Sequence, residues 1–478
     1  MSSNMDVRIF RKNDIRGIAS GDKAQINPIS AEIIGRSAGT FLQQNYQTER
    51  IFVGSDNRIS SLPIKNAFIR GVVSTGLNTI DVGYALTPMI YFLSAYSGEK
   101  TAGAVITGSH LPTEFNGIKI VHGNFALSSE EIQHLLEIIQ YNKFIGSLNG
   151  RSVFDSKYLK LYFNYLKNQV KIYNSISVVI DAGNALSGSF IPPFFESLGI
   201  KVHRLYCELD GTYPNHLPNP EITDNMKDLG REVRLVNADV GIAFDGDADR
   251  CGLVDNKGNH IPSDLLVVPL AQDFLSRNPH AQIVIDIKTS DVVSNIINLY
   301  GGKPVIWKTG HTLTMLKMKE IGAQLGSDAH GHLYFGENYF GFDDAPLAAL
   351  KLLEIFARSD RTVEEIFATI PEMFTTPEII LQIPDDIKME LVESVKGKLQ
   401  TKYKIIDIDG AKALLEDGWG LIRISNSQPA ITLRFEAHNQ RNLIHNILIF
   451  KEILDQFDKI NTEALSLYVE KIDYDKII

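Results

Sequence analysis

Short apolar runs that end in polar loops recur along this chain and predict its architecture. Arg50-Ile-Phe-Val-Gly54 reads as a strand; a loop carrying Asp56 and Arg58 follows, then a helical stretch over 64–74 and a strand at Thr79-Ile-Asp-Val82. The theme returns at Ser177-Val-Val-Ile-Asp181, with a loop Ala-Gly-Asn-Ala, a helix over 187–198 and the strand Lys201-Val-His-Arg-Leu205. It returns again at Gln282-Ile-Val-Ile-Asp286, with Lys288-Thr-Ser290, a helix over 291–300 and Lys303-Pro-Val-Ile-Trp307. Three β-loop-α-β units predict three similar α/β domains with mixed, largely parallel sheets, which bind ligands outside their strand ends. The last hundred residues differ. Strands are predicted at Thr376-Pro-Glu-Ile-Ile-Leu-Gln382, Trp419-Gly-Leu-Ile-Arg-Ile424 and Ala430-Ile-Thr-Leu-Arg-Phe435, with helix over 439–457, a smaller α+β domain.

Composition bounds the function. A chain of 478 residues is too long for one core. A net charge of −10 argues against a general nucleic-acid or anionic-membrane binder. The two cysteines, Cys207 and Cys251, form no CxxC pattern and fit a reducing, cytoplasmic setting. No signal-peptide core is evident in the first residues, and no apolar run is long enough to span a bilayer.

Chemistry concentrates in a few loops. Phe244-Asp-Gly-Asp-Ala-Asp-Arg250 sits between two apolar runs, so it reads as strand, tight loop, strand. Asp245, Asp247 and Asp249 alternate, and a turn brings their oxygens to one point. Three uncompensated carboxylates there call for a cation, and all-oxygen ligation suits Mg²⁺. Arg250 beside them suits a phosphate. A solvated acidic hairpin tip is the alternative reading. In Ala104-Val-Ile-Thr-Gly-Ser-His-Leu-Pro112 a strand ends at a glycine that exposes the Ser109 hydroxyl, a nucleophile or phosphate carrier, or simply a turn residue. His110 and Lys119 stand nearby for proton transfer or phosphate binding. Arg423-Ile-Ser-Asn-Ser-Gln-Pro429, with Arg434 on the next strand, offers phosphate donors or a polar hairpin turn.

Together these loops resemble, over essentially the whole chain, the α-D-phosphohexomutases, and most closely their bacterial phosphomannomutase/phosphoglucomutase branch. Thr107-Gly-Ser-His-Leu-Pro112 resembles the family's phosphoserine loop and Asp245-Gly-Asp-Ala-Asp-Arg250 its magnesium loop. Asp328-Ala-His-Gly-His332 occupies the sugar-recognition loop, the segment 423–428 the phosphate loop, and Phe10-Arg-Lys-Asn-Asp-Ile-Arg-Gly17 resembles the opening segment. The resemblance implies four domains around a central cleft: 1–155 with the phosphoserine loop, 156–258 with the metal, 259–371 with sugar recognition, and 372–478 with the phosphate loop. It implies reversible phosphate transfer between O1 and O6 of mannose or glucose phosphates through a phosphoserine enzyme and a bisphosphohexose. The alternative is a weakly active member serving as a sugar-phosphate binding or regulatory protein.

The same resemblance implies the site. Ser109, His110, Lys119 and Arg250 are the catalytic group, Lys119 moving the proton and His110 supporting the reacting groups. Ser109, Asp245, Asp247 and Asp249 hold one Mg²⁺, and a hexose 1,6-bisphosphate acts as activator. Arg16, Lys288, His311, Asp328, His330, His332, Arg423, Ser425, Asn426, Ser427 and Arg434 bind substrate; for His311 a structural role beside the turn at Gly310 is the alternative. Hexose 1- and 6-phosphates are the partners, and a monomer is expected, with a dimer as the alternative. Several positions depart from the family pattern. The sugar loop usually reads Gly-Glu-x-Ser-Gly-His, and here Ser327, Asp328 and His330 replace its first glycine, glutamate and serine. Leu111, Asn13, Ser55, Asn57 and Gln428 are further departures. The run Ser425-Asn-Ser-Gln-Pro429 differs from the phosphate loop of the glucosamine-specific branch. The departures cluster on sugar recognition, so Asp328 and His330 are expected to set which hexose is accepted.

Overall fold

Strand order is the same in the first three domains. The structure, a computed structural model, describes residues 5–11, 14–425, 429–457 and 460–474. In the first sheet Asn78–Tyr84, Arg50–Ser55 and Thr101–Ile106 run parallel, and Phe115–His122 joins antiparallel beside Thr101–Ile106. In the second, Lys201–Leu205, Ser177–Asp181 and Val240–Phe244 run parallel, with Cys251–Val254 antiparallel. In the third, Lys303–Trp307, Gln282–Asp286 and Leu325–Ser327 run parallel, with Leu333–Phe335 antiparallel. The loop between the third and fourth strands therefore recurs at one topological position. It carries Ser109 in the first domain, the aspartates 245–249 in the second and Asp328 to His332 in the third.

The predicted units form close to their expected bounds, since each strand is an apolar run and each helix a one-sided stripe. The helices are Ser61–Val73, Ser187–Ser197 and Asp291–Leu299. The fourth domain is an antiparallel sheet centred on Gly418–Ile424 and Ala430–Ala437, backed by Lys388–Leu399 and Gln440–Leu454. Around 358–371, at the predicted end of the third domain, the chain forms a short helix, Val363–Phe367. Thr362 and Glu365 close a capping box at its start, and Val363 and Phe367 are buried. The apolar helix Ala345–Arg358 precedes it, capped by Asp344, whose Oδ1 accepts from the Leu347 N–H at 2.8 Å.

One apolar core runs through the first three domains, from Phe52 and Leu93 through Tyr162 and Ile180 to Val284 and Leu350. The fourth domain has its own core and meets the third through a small cluster of Ile287, Trp419 and Leu421. Polar groups complete that contact. Glu436 accepts from the Asp291 N–H (3.0 Å) and from Trp419 Nε1 (2.9 Å), and Lys412 Nζ donates to Asp291 Oδ1 (2.8 Å). Three domains are thus fused by burial, while the fourth is attached by a smaller, more polar surface, the kind of joint that permits rigid-body motion.

In the first domain, helices Pro28–Tyr46 and Ser61–Val73 meet at two glycines. A Cβ at Gly71 would lie 2.0 Å from the Glu32 carbonyl oxygen, and one at Gly35 would lie 2.1 Å from that of Phe68. Both obstacles are backbone, so the helices must separate to admit a methyl group. Gly71→Ala is expected to cost about 1–3 kcal/mol despite its better helix propensity. Scanning calorimetry should show the melting point lowered by roughly 2–4 °C per kcal/mol; an unchanged transition would show that the helices part freely.

Candidate active site

The serine loop is held from beneath by one guanidinium. Arg58, fully buried, follows the strand Arg50–Ser55 and reaches under the loop that follows Thr101–Ile106. Its Nη2 donates to the carbonyls of Ser109 (2.7 Å) and Leu111 (2.6 Å), and its Nη1 to those of Pro112 (2.6 Å) and Phe115 (3.1 Å). Asp56 accepts from the Gly108 N–H (3.1 Å) and Thr107 Oγ1 from the Ser109 N–H (2.8 Å). These bonds hold Ser109 at φ 50°, a left-handed conformation that a serine adopts only when its surroundings impose it. Gly108 is required for space: a Cβ there would fall 2.5 Å from Arg58 Cζ. The sequence marks Asp56 and Arg58 as loop residues but gives no sign of this work, because the backbone groups they hold lie more than fifty residues downstream.

The 245–250 loop of the second domain meets the serine directly. Gly246 lets it approach, since a Cβ there would lie 2.4 Å from the Ser109 carbonyl oxygen. Ser109 Oγ donates to Asp245 Oδ2 at 2.9 Å and stands 3.1 Å from His110 Nδ1. Asp245, Asp247 and Asp249 are all buried, and their ligand oxygens lie within 4.8 Å of one another. Lys119, on Phe115–His122, donates to Asp247 Oδ2 at 2.7 Å and to Asp249. Thr87 Oγ1 donates to Asp247 Oδ2 at 2.5 Å. One ammonium among three buried carboxylates leaves net negative charge. Accordingly, burial together with Asp249 and Asp247 pushes the Asp245 carboxyl well above the usual range. One oxygen each of Asp247 and Asp249 has no hydrogen-bond partner. A donor set of carboxylate and hydroxyl oxygens, partly unsatisfied, is what a hard divalent cation takes, so these residues fit a metal of that kind.

The remaining predicted residues come together around this centre, with a few exceptions. Burial and the cations Arg250 and Arg16 push the His110 pKa well below its ordinary value, so its ring is neutral. Burial alone would lower the Lys119 pKa, but Asp247 and Asp249 outweigh it, and the ammonium is held charged. Arg250 Nε donates to His332 Nε2 at 2.8 Å, and His332 Nδ1 lies 2.6 Å from Asp343. His311, at the start of a helix, stacks 6.3 Å from the His332 ring. Arg16 pairs with Asp14 at 2.5 Å on the strand Ile15–Ile18, itself paired with Phe115–His122. Asp328, 4 % exposed, turns inward, and its Oδ1 accepts from the N–H groups of His330 (2.9 Å) and His332 (3.0 Å). Lys288 donates to His330 Nε2, while His330 Nδ1 meets Glu221 Oε1 at 2.6 Å. From the fourth domain Arg423 reaches Asp409 (2.8 Å) and, with Lys288 of the third domain, faces Glu378 at 3.6 and 3.5 Å. Arg434 pairs instead with Asp264 of the third domain at 3.3 Å. The Ser425 N–H closes the hairpin onto the Ala430 carbonyl at 3.0 Å. Asn426 and Ser427, like Gln428 and Asn13, lie outside the described residues.

Glu221, Glu378 and Asp343 are absent from the sequence-based set. Asp343 had a local signal, two successive aspartates between Phe342 and an apolar helix, of which Asp344 is the cap and Asp343 is left to face His332. Glu221 and Glu378 had none.

Three equivalent α/β loops that gather a buried serine, an acidic oxygen cluster and several cations, with a fourth domain adding an arginine, define a metal-assisted phosphate-handling protein. Comparison with known proteins narrows the class. Models of phosphoglucomutase/phosphomannomutase domains I, II and III and of the C-terminal domain match residues 7–145, 160–258, 262–374 and 378–447. A phosphomannomutase/phosphoglucomutase of Pseudomonas aeruginosa is 39% identical over 451 residues, covering 94% of this chain and 96% of its own. A phosphoglucomutase of Neisseria gonorrhoeae is 35% identical over 450 residues, covering 94% and 96%. The crystal structure of a phosphoglucomutase/phosphomannomutase family protein from Burkholderia thailandensis superposes with a TM-score of 0.88 at 31% identity, covering 95% of this chain and 98% of that one. The chain belongs to the phosphoglucomutase/phosphomannomutase family of hexose phosphate mutases, which are isomerases.

A cation that binds this folded cluster must stabilise the fold by mass action, by about 2.7 kcal/mol at a hundred times its dissociation constant. Adding MgCl₂ to the chelator-treated protein should raise its melting temperature, and Asp247→Asn should remove most of that rise. A melting curve indifferent to the cation would reduce the cluster to an acidic turn.

Proposed function

We propose that this protein interconverts the 1- and 6-phosphates of mannose and glucose, with Ser109 carrying the phosphoryl group, one Mg²⁺ per chain and a hexose 1,6-bisphosphate as activator. The reading rests on Ser109 Oγ, held in a left-handed turn 2.9 Å from a carboxylate of the acidic cluster. A hydroxyl beside an acidic cluster of this kind suits a phosphate carrier better than a simple binding surface. When bound, the cation would be held by Asp245, Asp247, Asp249 and the serine oxygen, and would offset the charge of the phosphoryl group.

In the first half-reaction the P–O bond to Ser109 breaks as a sugar hydroxyl oxygen bonds to phosphorus. The hydroxyl proton leaves and Ser109 Oγ regains one. After the bisphosphohexose turns around, Ser109 Oγ attacks the other phosphate as the P–O bond to the sugar breaks, and the freed sugar oxygen takes up a proton to become a hydroxyl. The Ser109 proton passes to a base, and neutral His110, with Nδ1 at 3.1 Å, is placed to accept it. Lys119, charged and beside Asp247 and Asp249, contributes a proton or a positive charge rather than a lone pair. Lys288 and Arg423 converge on Glu378, a carboxylate standing where a phosphate dianion would fit, and with Arg16, Arg250 and the 425–427 segment they suit the non-transferring phosphate. His311, His332 and His330 line the sugar, and Asp328 shapes their loop by holding the His330 and His332 amides. We place the enzyme in the cytoplasm as a monomer; among the described residues no helix is long and apolar enough to cross a membrane.

Ser109→Ala is expected to lower turnover by several powers of ten while leaving the fold intact. A coupled assay on mannose, glucose and glucosamine 1-phosphates measures it, and intact mass should show one phosphate on the parent chain and none on the variant. A variant with near-normal activity would overturn the assignment. Arg423→Ala should mainly raise KM for the hexose phosphate, because the phosphate it grips is held alike in ground and transition states. A loss confined to kcat would place Arg423 at the transferring phosphate instead.

A further inference from the structure

A sugar presents hydroxyls that donate as well as accept, yet the cleft is built mostly of donors. Arg16, Arg250, Lys288 and Arg423 supply donors and no acceptor. The three clustered aspartates face the serine and Lys119. Asp328 has turned inward to hold the amides of its own loop.

Glu221 is differently placed. It belongs to the second domain, but its carboxylate reaches the tip of the third domain's 328–332 loop, and its side chain is 39% exposed. Oε1 lies 2.6 Å from His330 Nδ1, and Oε2 lies 3.8 Å from Arg250 Nη1. His330 is itself oriented: Lys288 has no acceptor, so it donates to Nε2, which leaves Nδ1–H to point at Glu221. Burial works against the Glu221 charge, but His330, Arg250 and Lys288 outweigh it and hold the carboxyl well below the usual range. The result is an anion with about four acceptor sites, of which His330 occupies one, open at the edge of the cationic cleft. The opposite carboxylate, the half-buried Glu378, sits between Lys288 and Arg423 at the phosphate end and is already matched by two cations.

We propose that Glu221, oriented by His330, is the hydroxyl acceptor of the sugar site, a specificity determinant delivered from the second domain to the sugar loop of the third. The inference rests on the mutase reading above, since it presumes a sugar phosphate in the cleft.

Calorimetric titration of the full chain carrying Ser109→Ala, which cannot turn substrate over, tests it with three probes: glucose 1-phosphate, mannose 1-phosphate and inorganic phosphate. Adding Glu221→Ala should weaken both sugar phosphates by about tenfold or more, the worth of a hydrogen bond to a charged group. Inorganic phosphate, which has no sugar hydroxyls, should bind as well as before or more tightly. Glu221→Gln keeps the side chain's shape and should lie between the two, which guards against a folding defect in the alanine variant. Equal weakening of all three probes, or sugar affinities untouched by either variant, would overturn the proposal while leaving the mutase reading standing. A parent chain that bound phosphate but gained nothing from the sugar would overturn both.

Discussion

Three carboxylates buried within 4.8 Å of one another, with Lys119 paired to two of them, create the charge repulsion around which the cleft is organised. Isolated charges are costly to bury, and like charges at this separation repel strongly where water is excluded. The surroundings answer that cost in several ways. Lys119 comes from the first domain, Thr87 donates to Asp247, and the amides of Asp249 and Arg250 donate to Asp245 at 3.1 and 3.2 Å. What remains is an unsatisfied set of oxygens that favours a divalent cation and, beside it, a serine hydroxyl. The energetic problem and the chemical capacity are the same feature.

That arrangement needs two domains held at fixed distance, and the core explains how. The apolar cluster is continuous from the first domain to the third, so the serine loop, the aspartate loop and the 328–332 loop stand on one packed body. Arg58 adds local precision by tying four carbonyls of the serine loop to a single planar group whose own position is fixed by Asp56. The fourth domain is joined by a smaller and more polar contact. Chemistry is thereby assigned to the rigid part, and grip on the far phosphate to the part with a core of its own.

Cations and anions interleave along the cleft, with His330 bridging Glu221 to Lys288: Arg250, Glu221, His330, Lys288, Glu378 and Arg423 follow in spatial order across three domains. Each anion lies between groups that hold it charged. Such a chain keeps several cations in a low-dielectric site without leaving them unpaired, and an incoming sugar phosphate can exchange its own oxygens for theirs.

Local patterns carried much of this in the sequence itself. Apolar runs of four to six residues marked the strands, and alternating aspartates between two such runs marked the acidic cluster. A glycine before Ser109 marked the turn, because these signals depend only on neighbours within a few residues. The fourth domain's break in pattern was equally local. Only the tertiary structure could decide the rest. Arg58 serves carbonyls some fifty residues away, Glu221 meets His330 across 109 residues, and Asp328 spends its carboxylate on its own loop. The segment at 358–371 is a capped helix because Val363 and Phe367 find a core there, which composition alone does not reveal. Hydrophobic periodicity records what a residue does within its own element. Which charges finally face one another is set by how three separate sheets are packed, and no spacing along the chain encodes that.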